Sequence, residues 1–153
     1  MRAPARPTSL NHGVDAERDH VLGPADAEIT LVEYGSYVCQ HCHAAHTVNR
    51  NLHDRFGDGM RYVYRHLPLA DRHDATHAAE ITEYAASVGQ SFWEVHDTLM
   101  ERGPAFRAGE IDAIASEFGV PGPEKRDSAI ERAAVARVRE DARSGIRSGA
   151  RVT

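Results

Sequence analysis

Gly35-Ser36-Tyr37-Val38-Cys39-Gln40-His41-Cys42-His43 joins a β-rich run, Ile29-Thr30-Leu31-Val32-Glu33-Tyr34, to a helix-like run from about Ala44 to Phe56. Its two cysteines are the only ones in the 153-residue chain. A CxxC where a strand gives way to a helix closes into a disulfide or presents a reactive thiolate. Around it, Ala45, Val48, Leu52 and Phe56 recur at helical spacing on a face expected to point inward. Gly57-Asp58-Gly59 ends the helix, and a second strand is expected over Met60 to His66. A strand–helix–strand unit of this kind implies a parallel, right-handed crossover.

The rest of the chain reads as helical. Helices are expected over Asp74 to Val88, from the Ser91-Phe92-Trp93-Glu94 capping box to Arg102, over Glu110 to Phe118, and from about Glu124 to Ser144. His66 reads as a polar strand end, His96 as a helix surface or rim residue, and His73 and His77 as a solvated pair one turn apart. Tyr37, Phe92 and Trp93 read as core or rim aromatics.

The composition is that of one globular domain, with 41% hydrophobic and 27% charged residues. A formal charge of −5 argues against a broad grip on nucleic acid. No apolar run reaches the roughly 18 residues of a membrane span. Residues 1–20 lack the apolar centre of a secretory signal and read as a flexible lead-in to a domain over 21–153, and the chain as cytoplasmic. Thiols there stay reduced, which favours a catalytic pair over a structural disulfide.

The expected chemistry follows from the helix terminus. Unpaired N–H groups and the positive end of the helix dipole favour a thiolate at Cys39, and His41 adds charge or a hydrogen bond beside it. Such settings lower a thiol pKa to about 3.5–7. Cys39, coming first, is expected to be the exposed nucleophile and Cys42, deeper in the helix, the resolving thiol. Three other readings stay open. The cysteines are an inert buried pair; or Cys39-Gln40-His41-Cys42-His43 attaches a c-type haem; or Cys39, Cys42 and His46, with His43 near and His66, His73 or His77 contributing, hold zinc.

Gly23-Pro24-Ala25-Asp26-Ala27, Leu31-Val32-Glu33-Tyr34, the CxxC, Tyr64-Arg65-His66-Leu67-Pro68-Leu69 and Phe92-Trp93-Glu94-Val95-His96 together resemble the DsbA-like branch of the thioredoxin superfamily, in order and spacing from about Asp19 to Thr153. The resemblance implies an α/β, thioredoxin-like fold with an inserted helical domain at about 71–147, and disulfide exchange with protein thiols or disulfides, with no cofactor and no metal. It also implies that Glu33, six residues before Cys39, is buried beneath the site and handles the proton of the resolving cysteine. Gln40 stands where the family's best-known oxidant has proline. The family's Gly-Thr-Pro-Thr stretch, its final hairpin and its terminal helix would follow Thr153. Lacking that C-terminal β-hairpin and helix, the domain is expected to have an unpaired sheet edge open to self-association. The alternative function is a redox-inactive or zinc-holding binding module of the same fold.

Overall fold

The computed structural model describes residues 9–68 and 71–151. Leu69 and Thr153, and the first eight residues of the expected lead-in, lie outside the described residues. A three-stranded sheet carries the order β1-β3-β2, with β1 at His20–Leu22, β2 at Ile29–Gly35 and β3 at Met60–His66. Helix α1, Gln40–Phe56, connects β2 to β3, which run parallel from Ile29 opposite Met60 to Gly35 opposite His66. This is the expected crossover unit. Strand β1 pairs antiparallel with β3 on the other side. It is only three residues long, too short for an alternating pattern to reveal it.

Four helices follow: α2 at His73–Ser87, α3 at Phe92–Arg102, α4 at Glu110–Glu117 and α5 at Ser128–Arg147. The capping serine is in place, with Ser91 Oγ accepting from the Glu94 amide at 3.3 Å. Helix α5 starts four residues later than expected. Pro123–Lys125 forms a separate 3-10 turn, and Asp127 caps α5 by accepting from the amides of Ala129 and Ile130. The core gathers Tyr62 and Tyr64 from β3 with Ile81, Tyr84, Phe92, Val95, Leu99, Ile114 and Ala134 from the helices.

Two expectations need correction. Only half of the apolar stripe of α1 turns inward: Ala45 and Leu52 are partly buried, and Leu52 packs against the core. Val48 is 55% and Phe56 45% exposed, and the buried residues of α1 are Cys42 and His46. The inner face of α1 carries polar groups because its surroundings offer partners: Asn49 donates to Glu33, and the His43 ring meets two main-chain carbonyls. Among the described residues, β3 is the only strand paired with β2, so one edge of β2 is open, as expected.

The second correction concerns the lead-in, which is anchored well before residue 20. Arg65, on β3, is fully buried. Its Nε and Nη2 donate to the two carboxylate oxygens of Asp19 at 2.9 and 2.7 Å. The same guanidinium donates to the carbonyls of His12 and Gly13 and to the Tyr34 hydroxyl. A second buried acid, Glu83 on α2, takes His20 and His66 on one carboxylate oxygen at 2.9 and 2.8 Å. His66 is thus a buried partner of Glu83.

Burial opposes ionisation of Glu83 and of Asp19. The histidine contacts of the first and the Arg65 contacts of the second outweigh it, and both carboxyls are held below their ordinary range. A depressed folded pKa stabilises above the unfolded value, about 4, and that contribution is lost as pH falls through and below it. Urea unfolding should therefore show stability falling steadily from pH 5 to pH 2. Asp19→Asn, which leaves the Arg65 charge buried and half-paired, should cost about 3–5 kcal/mol at pH 7. A variant as stable as the parent would show that the pair does not hold the lead-in.

Candidate active site

Gly35 ends β2, and the turn that follows drives Tyr37 and Val38 into the core. Cys39 is carried down with them. It is 5% exposed and Cys42 is 6% exposed, so the expected contrast between an exposed and a deeper sulfur is absent. Cys39 is the N-cap residue of α1, with extended backbone at φ −92° and ψ 120°. The helix-terminal setting read from sequence is therefore real. The Cys39 amide donates to the Ser36 carbonyl at 3.3 Å, and the Ser36 amide donates to Cys42 Sγ at 3.4 Å.

Both cysteines are free, and their sulfurs are near enough to influence one another. Burial pushes the Cys42 thiol up to about 12; proximity to Cys39 and the charge of Glu33 add to the rise, and the Ser36 amide opposes it. Cys42 is thus a protonated thiol across the physiological range.

Glu33 lies on β2, half-buried. Its Oε2 accepts from Tyr62 Oη and from Asn49 Nδ2, both at 2.7 Å. Burial raises its pKa, and the two hydrogen bonds only partly offset the rise. Glu33, His41, Cys42, Ala45, Asn49 and Leu31 line one groove of about 340 Å³ along β2. The structure thus brings together Glu33, Cys42 and His41 of the residues read from sequence, with Cys39 three residues before Cys42 at the start of the same helix. His41 itself is exposed.

Three further residues contribute, of which sequence reading named only His43, beside an alternative zinc site. His43 holds Nδ1 at 2.6 Å from the Met100 carbonyl and Nε2 at 2.6 Å from the Tyr37 carbonyl. Carbonyls only accept, so a doubly protonated ring satisfies both contacts and a neutral ring leaves one oxygen facing a lone pair. Gly103 makes room for this ring: a Cβ there would meet His43 Cε1 at 2.5 Å. The other two, Tyr62 and Asn49, hold Glu33. Tyr62 sits on the neighbouring strand opposite Leu31, two positions from Glu33 on the same face, so the period of two was the available signal. Asn49 falls outside the apolar spacing of α1, which gave no sign of its partner.

The remaining histidines sort by burial. His96 is fully buried, contrary to its reading as a surface or rim residue. Its Nδ1 meets Tyr37 Oη at 3.0 Å and its ring packs edge-on to Tyr64, with centroids 4.4 Å apart. The aromatic cluster of Tyr37, Tyr64, Phe92 and Trp93 supplies the cover that sequence spacing alone did not show. His77 pairs with Asp112 at 3.1 Å at the surface. Among the described residues, neither of the two groups of three metal-type donors contains a cysteine.

A family model described as thioredoxin matches residues 15–146. Curated relatives include the Na(+)/H(+) antiporter NhaA of Nitrosospira multiformis, 51% identical over 96 residues, which is 63% of this chain and 15% of that protein. NhaA of Herminiimonas arsenicoxydans is 36% identical over 147 residues, 96% of this chain and 23% of that protein. The chain spans less than a quarter of the length of either relative. Among solved structures, oxidised BdbD from Bacillus subtilis superposes with a TM-score of 0.73 at 20% identity, covering 91% of this chain and 80% of that one. DsbA2 from Pseudomonas aeruginosa superposes with a TM-score of 0.64 at 21% identity, covering 93% and 79%. At these identities the likeness establishes the fold. No helix of the described residues is long and apolar enough to cross a membrane.

The raised pKa of Glu33 has a stability consequence. A carboxyl whose folded pKa lies above its unfolded value stabilises the fold when protonated, and that contribution is lost as pH rises through the folded pKa. Glu33→Gln keeps an oxygen for Tyr62 and Asn49 without the charge. It should match the parent near pH 4 and be the more stable of the two at pH 7, read by urea midpoints. Equal midpoints at pH 7 would mean that the carboxylate is not strained by its burial.

Proposed function

We propose, for a chain that belongs to the thioredoxin family and has the fold of its DsbA-like branch, that Cys39 and Cys42 exchange disulfides with protein substrates. The observation that carries this reading is the pair of buried, free cysteines at the N-terminus of α1, one of them sharing a groove with a half-buried carboxyl group. In the reducing direction, the Cys39 thiolate attacks a substrate disulfide. A Cys39–substrate disulfide forms and one substrate sulfur leaves as thiolate. Cys42 then gives its proton to Glu33 and attacks Cys39. The second substrate sulfur leaves and is protonated, the substrate is reduced by two electrons, and Cys39–Cys42 is the new disulfide. The oxidising direction is the reverse. Proton removal from Cys42 is the difficult step, because its thiol is held so high, and Glu33 is the acceptor at hand.

His41, exposed at the groove, and His43, held between two carbonyls next to Cys42 in sequence, are the imidazoles assigned to stabilising the Cys39 thiolate. The groove and the open edge of β2 give an extended substrate segment a place to lie. The competing class is a binding module of the same fold, whose partner docks without sulfur chemistry.

Insulin reduction separates the two. Cys39→Ser should abolish it, and Cys42→Ser should accumulate a substrate disulfide on Cys39 that dithiothreitol releases. Iodoacetamide at pH 6 should label Cys39 faster than it labels an unstructured peptide cysteine. Turnover that survives Cys39→Ser, or labelling at the peptide rate, would leave the binding module as the better account.

The antiporter relatives favour a second, compatible reading, in which the exchange domain serves a sodium/proton antiporter that carries it or lies beside it. Everted vesicles holding such an antiporter and this domain should then change their sodium-driven proton flux between oxidised and reduced glutathione, and Cys39→Ser should remove the difference. Flux indifferent to the thiol buffer would overturn this reading and leave the exchange activity standing.

A further inference from the structure

Helix α1 carries a second polar feature one turn beyond Cys42. His46 Nε2 and His96 Nε2 are both buried and lack a hydrogen-bond partner. His46 comes from α1, and His96 and Asp97 from α3. One donor atom from each of the three lies within 4.8 Å of the other two. His46 Nε2 is 3.6 Å from Asp97 Oδ1. Around a tetrahedral zinc ion with bonds near 2 Å, two ligand atoms stand about 3.3 Å apart.

We propose that His46, His96 and Asp97 hold a divalent transition-metal cation of zinc's type, with a further coordination position open to the cavity beside them. Two imidazoles and a carboxylate drawn from separate helices suit zinc, copper or nickel; calcium and magnesium take shells of oxygen. The cavity, about 180 Å³, is lined by His46 and Asp97 together with Asn49, His53, Tyr62 and Trp93, so the site has both an entrance and room for water or a small ligand. The far nitrogen of His96 is already engaged. Its Nδ1 meets Tyr37 Oη at 3.0 Å, the kind of outer contact that fixes the orientation of a metal-bound imidazole. Burial lowers the pKa of both rings below the ordinary imidazole range, which leaves lone pairs available at neutral pH. The other donor group, His66, Glu83 and Asp141, is closed by its own contacts: Glu83 takes two histidines, and Asp141 takes Arg18 and Arg137.

The test is zinc chloride titrated calorimetrically into the full chain carrying Cys39→Ser and Cys42→Ser, which removes thiolates as competing ligands. One zinc per chain is expected. His46→Ala and Asp97→Asn, both close to the cavity rim, should each weaken binding by at least about 10–100-fold, the loss that even outer contacts of a metal site cost. Cobalt(II) in the same protein should give the intense visible bands of a low-symmetry, four-coordinate ion with no sulfur-to-metal band in the near ultraviolet. A cysteine-free chain that takes up no zinc overturns the proposal. So does zinc binding that both variants leave unchanged, which would place the ion on an exposed histidine such as His41 or His73.

Discussion

One buried guanidinium organises this small sheet. A charge as deep as that of Arg65 costs several kcal/mol to desolvate unless each donor finds an acceptor. Here all five do, in two contacts to Asp19, two to the carbonyls of His12 and Gly13 and one to Tyr34 Oη. Three pieces of chain are fixed by that requirement. The segment leading into β1 is folded over the end of β3, Tyr34 is held on β2, and Tyr34 in turn meets Ser144 of α5 at 2.8 Å. Asp141, one turn earlier on α5, accepts from the His66 amide at 3.1 Å, where β3 ends. A three-stranded sheet has little apolar area with which to fix its register, and a saturated ionic contact supplies the missing specificity.

That register is what the chemistry inherits. With Gly35 opposite His66, Glu33 and Tyr62 fall on one face and the turn after β2 delivers Cys39 to the start of α1. The two sulfurs then differ by environment and not by access. Cys39 caps a helix, whereas Cys42 sits one turn in and shares a groove with Glu33. The groove that Cys42 and Glu33 share is also lined by Leu31, Val32 and Tyr34 of β2, which pairs on one side only among the described residues.

Much of this was legible in the residues. The β-rich runs placed β2 and β3 to within a residue, and the glycines placed the end of α1, which begins at Gln40, four residues before the expected start. What periodicity could not show was the direction of a face. Val48 and Phe56 repeat like core residues, yet they lie outside, because the inner face of α1 meets Glu33 and carbonyl oxygens that call for Asn49 and His43. His96 failed for the converse reason. A histidine beside an aspartate reads as wet, and only the convergence of Tyr37, Tyr64, Phe92 and Trp93 from distant positions dries it. Arg65 was visible only as part of a family pattern, since the groups that make its burial tolerable come from residues 12–19 and from β2.

The contact between the Asn11 amide and Ser148 Oγ, 2.8 Å across 137 residues, has an architectural meaning. Chain running upstream of the first and downstream of the second departs from a single spot. A domain built this way can be spliced into a loop of a host protein, or circularly rejoined, with a linker of a few residues and little distortion.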